Sequence, residues 1–221
     1  MDLVHYVLSN LDSLVPETVD HLQVVGVAMV ISAASGLSLG VLASRRQRLG
    51  EAVLGIASTL LTIPSFALLS VLTTMFIALG LQIGDPPVIA ALVLYAQLPI
   101  IRNTRAGILA VNQGVLEAAH GMGMTSWQVL TRVELPLALP VILGGLRQAT
   151  VMIVAIATVG AAVGSANLGR PIVDTLQRSG NRLPILAGIV FVAAIGLSAD
   201  AVLGGLQRAL SRGRITSEPI T

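Results

Sequence analysis

Leu22 to Ala43 is a run of twenty-two residues without a formal charge, and Ala52 to Leu81 is a second run of thirty. A helix rises about 1.5 Å per residue, so the first run reaches about 33 Å and matches a hydrocarbon core about 30 Å thick. In lipid a spanning segment must satisfy its own backbone donors and acceptors, which a helix does alone and a strand only in a closed barrel. Further uncharged stretches follow toward the C-terminus, and hydrophobic residues make up 54% of the chain against 11% charged. A mean hydropathy of +0.87 agrees. The expected fold class is all-α: a polytopic transmembrane helical bundle of about five spans.

What such a chain can do is bounded next. Its 221 residues hold about five spans of some 20 residues with short connections and no large soluble domain. All thirteen basic residues are Arg. A P-loop needs a lysine that reaches the phosphates, so any ATP-driven work requires a separate subunit, and no cofactor of the chain's own is expected. There is no Cys, hence no disulfide framework and no thiolate metal site. His5, His21 and His120 lack ligand spacing, and no metal is expected. No nucleophile lies beside a base in the spans, so no catalytic residue is assigned and the chain is not expected to be an enzyme. The net charge of +2 does not point to nucleic acid.

The arginines set a topology. The cluster Arg45, Arg46, Arg48 follows the first uncharged run, and such clusters mark the cytoplasmic side of a span. Residues 1–21 then form an external segment. It carries Asp2, Asp12, Glu17 and Asp20 but no Arg, unlike a cleaved signal, and its apolar residues recur at helical spacing compatible with a short surface helix. Residues 22–210 form the transmembrane domain, with spans over about 22–43, 52–80, 86–106, 141–168 and 183–206, and residues 211–221 form a cytoplasmic tail. The second span is kinked or terminated around Pro64. The third contains Pro99 and is long enough only if its helix continues past Arg102, with the arginine heads snorkelling to the interface. Arg102, Arg105, Arg132, Arg208, Arg212 and Arg214 then join the first three inside, while Arg170, Arg178 and Arg182 lie in an external loop.

Within the spans, Gly36 with Gly40 and Gly160 with Gly164 form two GxxxG pairs that allow close helix approach. Asp200 is an intramembrane carboxylate, a functional hypothesis by default, but it lies toward the cytoplasmic end of the fifth span, where hydration or pairing with Arg147 gives a structural reading that ranks ahead of a transport role. Gln97, Arg147 and Gln148 either bridge helices or line a polar path. No substrate-binding residue is assigned.

Between the third and fourth spans, over about 109–136, lies a polar and amphipathic stretch that cannot stay in lipid. It contains Glu117-Ala118-Ala119, three residues, Gly123, nine residues, then Val133-x-Leu135-Pro136. Val115, Leu116, Ala119 and Met122 can share one side of a short helix ended by Gly123; Trp127, Leu130 and Val133 suggest a second short helix. Pro136 and Pro140 suit the start of the next. The pattern resembles the EAA loop of binding-protein-dependent ABC importer permeases of type I, with Val133 standing where the family has Ile. Ile63-Pro64-Ser65, Arg102-Asn103-Thr104, Gly121-Met122-Gly123-Met124 and the run Val133 to Pro140 further resemble the branch that imports osmoprotectants such as glycine betaine, carnitine and choline. Ala166-Asn167-Leu168-Gly169 departs from the Gly-Gly-Leu-Gly common in that branch, at the external gate.

This resemblance implies a MetI-like fold and a permease subunit that works by alternating access. Its partners would be a cytoplasmic ATP-binding subunit, a second permease subunit of the same or a homologous chain, an extracytoplasmic solute-binding protein and the lipid bilayer. It also implies that Glu117, Ala118, Ala119 and Gly123, with Val133, Leu135 and Pro136 completing the motif, form the loop that couples to the ATPase, in the bacterial cell membrane. A secondary transporter or channel is the alternative. It would favour paired interrupted helices in two inverted halves, which this chain does not display.

Overall fold

The computed structural model describes residues 2–178 and 182–212, and every regular element among them is helical. In chain order these are α1 (Leu3–Ser9), α2 (Leu11–Arg45), α3 (Gln47–Thr62), α4 (Ser65–Ala78), α5 (Asp85–Leu109), α6 (Gln113–Gly121), α7 (Ser126–Val129), α8 (Leu135–Ala157), α9 (Arg170–Arg178) and α10 (Leu183–Arg212). A π-helical turn, Leu130–Glu134, joins α7 to α8, and a 3-10 turn, Thr158–Val163, follows α8. Four helices are long and apolar enough to cross a membrane, and α3 with α4 makes a fifth if that bent pair is one span. Most of the expected tail, 213–221 with Arg214, lies outside the described residues.

Helix ends and membrane edges do not coincide. The 35 residues of α2 would reach about 52 Å, well beyond a hydrocarbon core. Leu11 and Leu14, expected in a surface helix, belong instead to this long helix, and only Leu3–Ser9 forms the separate one. Charge bounds what lipid tolerates, whereas a helix can continue into water wherever its own hydrogen bonds hold. In the same way the expected external loop contains α9.

The thirty-residue run does not form one helix. Residues before proline are pushed to extended backbone, and Ile63, at φ −69° and ψ 130°, ends α3 there, so that α4 leaves at 98° to it. The hydroxyl of buried Tyr95, on α5, donates to the Ile63 carbonyl at 2.7 Å and so occupies an acceptor at the break.

At the centre, α5 packs between α2 and α8, with Val88, Ala91, Leu92, Tyr95, Ala96 and Ile100 fully or almost fully buried. It runs unbroken through Pro99 and past Arg102. The amide of Asn103 donates to the Pro99 carbonyl, and Arg105 Nε donates to the Ala43 carbonyl at 3.1 Å, capping the C-terminal end of α2. Gly36 and Gly40 let α2 lie close against α5. A methyl group at Gly36 would meet Ile100 Cγ2 at 2.7 Å, and one at Gly40 would meet Thr104 Cβ at 2.5 Å. The second glycine pair divides its labour: Gly160 leaves room for Val88, whereas Gly164 has open space and a φ of +93° that ends the 3-10 turn.

Candidate functional site

The segment after α5 projects from the bundle as an elbow. Its first arm, α6, begins at Asn112, whose side chain accepts the Gly114 N–H at 2.8 Å. It ends in a Schellman arrangement: the Gly123 N–H reaches the His120 carbonyl at 2.9 Å and the Met124 N–H reaches the Ala119 carbonyl at 3.2 Å. That closure requires φ of +79° at Gly123, a left-handed conformation. Nothing lies within 4 Å of where a Cβ would stand, so glycine is there for its backbone and not for space. The second arm opens at Thr125 in a reciprocal capping box with Gln128.

The expected second short helix is not separate. Ser126 to Val163 is one continuous helical rod, entered through the π turn that holds Val133. The Leu135 N–H reaches back to the Leu130 carbonyl there. Pro136, the second residue of α8, has no N–H to give the preceding turn, and the wider π turn sits immediately ahead of it. The elbow is therefore built onto the end of a spanning helix, and movement of one moves the other.

The motif residues separate into two groups. Glu117 and Ala118 are exposed on α6, Ala119 is buried at 2% exposure, and Gly123 forms the bend. Val133, Leu135 and Pro136 lie half-buried at the root of the rod. Met122 and Trp127 stand 76% and 70% exposed beside the bend. Apolar side chains this open, next to an exposed carboxylate, make a surface suited to a partner groove.

One element of the root was not expected. Glu134, the unspecified position of the motif, is buried, and both its carboxylate oxygens accept from Arg45 at the end of α2. The sequence holds a faint signal, a lone acid inside an apolar run. Arg45, however, is indistinguishable there from its neighbours in a basic cluster.

Deeper in the bundle, Gln97 is a bridge: its amide donates to Ser35 Oγ on α2 at 3.1 Å. Arg147 and Asp200 form a two-point ion pair between α8 and α10, with both hydrogen bonds at 2.5 Å. Gln148 beside them is exposed, and Gln207 donates to the Pro140 carbonyl at 2.9 Å. At the far end, Asn167 is fully buried; its amide donates to Ser165 Oγ, which donates to Asp85 at 2.7 Å. A Cβ at Gly169 would lie 1.9 Å from the Thr158 carbonyl oxygen, so that position admits glycine alone. Among the described residues no group of His, Cys, Asp and Glu is arranged to hold a metal ion.

Residues 36–212 match the family described as binding-protein-dependent transport system inner membrane component. The chain is 39% identical to an osmoprotectant import permease protein, OsmW, of Salmonella typhimurium, across 96% of this chain and 98% of that protein. It is 36% identical to the carnitine transport permease protein OpuCD of Listeria monocytogenes, across 99% and 96%. Over 83% of this chain it is 43% identical to the glycine betaine/carnitine/choline transport system permease protein OpuCD of Bacillus subtilis, of which 78% is covered. In fold it is similar to a chain of the MetNI methionine ABC transporter in an inward-facing conformation, with a TM-score of 0.82 at 23% identity over 90% of this chain and 97% of that one.

Proposed function

The chain belongs to the family of binding-protein-dependent transport system inner membrane components, and from that premise we propose that it is the permease of an ATP-driven importer of quaternary ammonium osmoprotectants. The observation that carries the reading is the end-to-end similarity to permeases named for osmoprotectants, carnitine, choline and glycine betaine. The chain is a multi-pass inner-membrane transport subunit, not an enzyme.

The elbow is the coupling element. A separate ATP-binding subunit receives α6, with Glu117 and Ala118 at the contact and Met122 and Trp127 filling an apolar groove. Closure of that subunit tilts the rod that continues into α8, and α2 follows through Arg45 and Glu134. The arginine clusters favour the elbow and the C-terminus on the cytoplasmic side with the N-terminus outside. A second permease chain, the same or homologous, completes the path. Recognition of the ammonium group falls first to an extracytoplasmic solute-binding protein, because an aromatic cage finds few aromatics here: the lone Trp127 is on the elbow and Tyr95 is committed to Ile63.

Reconstitution of the permease with its ATP-binding subunit and solute-binding protein in vesicles tests this. ATP-dependent uptake of at least one of glycine betaine, carnitine and choline is expected. Uptake undiminished when the ATP-binding subunit is omitted contradicts it.

A further inference from the structure

Arg147 lies near the middle of α8 and Asp200 near the middle of α10, both in helices apolar enough to span the membrane. Their side chains are 39% and 34% exposed. Within the expected spans 141–168 and 183–206 each charge lies six residues, about 9 Å of helix, from the cytoplasmic end, and charges so placed face a bundle interior, a water-filled cavity or the interface rather than lipid. The structure shows what lies before it. The pair opens onto a cleft of about 670 Å³ walled by Gly144, Gln148, Val151, Met152 and Gln207. Beyond Asp200 a second cleft of about 530 Å³ continues between Val154 and Ala155 on α8, with Thr158 of the 3-10 turn, and Val192 and Gly196 on α10, reaching Ile172 on α9. Val151 and Asp200 line both.

The two clefts therefore make one groove, polar at one end, apolar at the other, with the ion pair at the junction. From Gly144 to Ala155 it follows about 16 Å of α8, about half the hydrocarbon thickness. Each cleft has the size of small-molecule sites, roughly 300–1,000 Å³. Glycines let the polar side chains lie close against the opposite helix: a Cβ at Gly204 would lie 3.1 Å from Arg147 Cζ, and one at Gly144 would lie 3.3 Å from Gln207 Nε2.

We propose that the α8–α10 groove is the solute's route along this chain and that Arg147 and Asp200 form a charge-reading station within it. The inference rests on the cargo being a quaternary ammonium solute. With the groove empty the two charges neutralise one another. A zwitterion carries the same two charges, so its ammonium group takes Asp200 as its carboxylate takes Arg147, and no charge is left unpaired in the groove. A purely cationic solute engages Asp200 alone. An apolar solute gains nothing for opening the pair, which thereby selects as well as closes. A strut between helices would need neither the flanking clefts nor a third of each side chain left accessible.

The test uses the full transporter in vesicles. Asp200→Asn is expected to raise the KM for uptake at least tenfold for whichever of glycine betaine, carnitine and choline is imported. Arg147→Ala is expected to do so for the carboxylate-bearing glycine betaine and carnitine but to change choline less than threefold. Because the chain has no cysteine, Gln148→Cys gives an independent reading in a transporter that keeps both charges. A charged methanethiosulfonate should label it, and the imported solute should slow labelling at least fivefold. Val202→Cys, on an exposed apolar part of α10, should stay unlabelled. Wild-type KM in the Asp200 variant, or a Gln148→Cys site as unreactive as Val202→Cys or unprotected by solute, overturns the inference. If wild-type transporter imports none of the three solutes, the cargo reading fails and this inference falls with it.

Discussion

Arg45, the last residue of α2, grips both carboxylate oxygens of Glu134, 89 positions away at the root of the elbow. Glu134 is buried while the arginine is partly open to solvent, so removing the arginine strands a charge. Hydrogen bonds to a charged group are worth about 1.5–3 kcal/mol. The pair joins the first long helix to the element through which force is proposed to enter.

Arg45→Ala is therefore expected to reduce uptake at least tenfold while ATP hydrolysis by the assembled transporter continues. Parallel assays of hydrolysis and uptake check this. Wild-type coupling in the variant would remove Arg45 from the path of force.

Gly123→Ala places a Cβ on a left-handed residue, at a cost of about 1–2 kcal/mol for that conformation. The elbow should bend wrongly while the spans still insert, so uptake falls and membrane abundance does not. Gly121→Ala is the control. That residue ends α6 in open space, and alanine there should be neutral or slightly stabilising. Equal loss from both variants would mean that the bend is unimportant.

Tyr95→Phe removes the donor that holds the Ile63 carbonyl at the α3–α4 break. A net loss of about 0.5–1.5 kcal/mol is expected, visible as a lower thermal midpoint of the purified protein. Tyr95→Leu should cost more, through the cavity left in the core. A phenylalanine variant as stable as wild type would show that the break needs no such clasp.

Gly169→Ala should abolish accumulation in the membrane, since no rotamer moves a Cβ away from the Thr158 carbonyl. Immunodetection in isolated membranes measures it. Normal accumulation would contradict the close approach described for this turn.

The apolar runs, the arginine clusters and the proline at 64 made the helical bundle legible, because lipid imposes long one-sided constraints that a single chain displays locally. The first arm of the elbow was legible for the same reason: Gly123 ends α6 through bonds to residues a few positions before it. Apart from the Arg147–Asp200 pair, where two lone charges stand in apolar spans, contacts between distant segments were not. Nothing beside Glu134 announces Arg45, and nothing in Pro99 says that Asn103 and its neighbours will carry α5 through it. Gly160 and Gly164 look alike in sequence, yet one clears a path for Val88 and the other supplies a positive φ. The second short helix was misjudged because Pro136 suggests a start, whereas the π turn absorbs the missing donor and lets Ser126 to Val163 run on.

The central claim is that the exposed face of α6 is where an ATP-binding subunit takes hold. Glu117→Cys in this otherwise cysteine-free chain, paired with single cysteines around the groove of the ATP-binding subunit, tests it by disulfide crosslinking in inside-out membrane vesicles. The account predicts a crosslink whose yield changes when ATP binds, and none from Val202→Cys. A Cys at position 117 that is unreachable from the cytoplasmic side, or that never crosslinks while ATP-driven uptake proceeds, would contradict it.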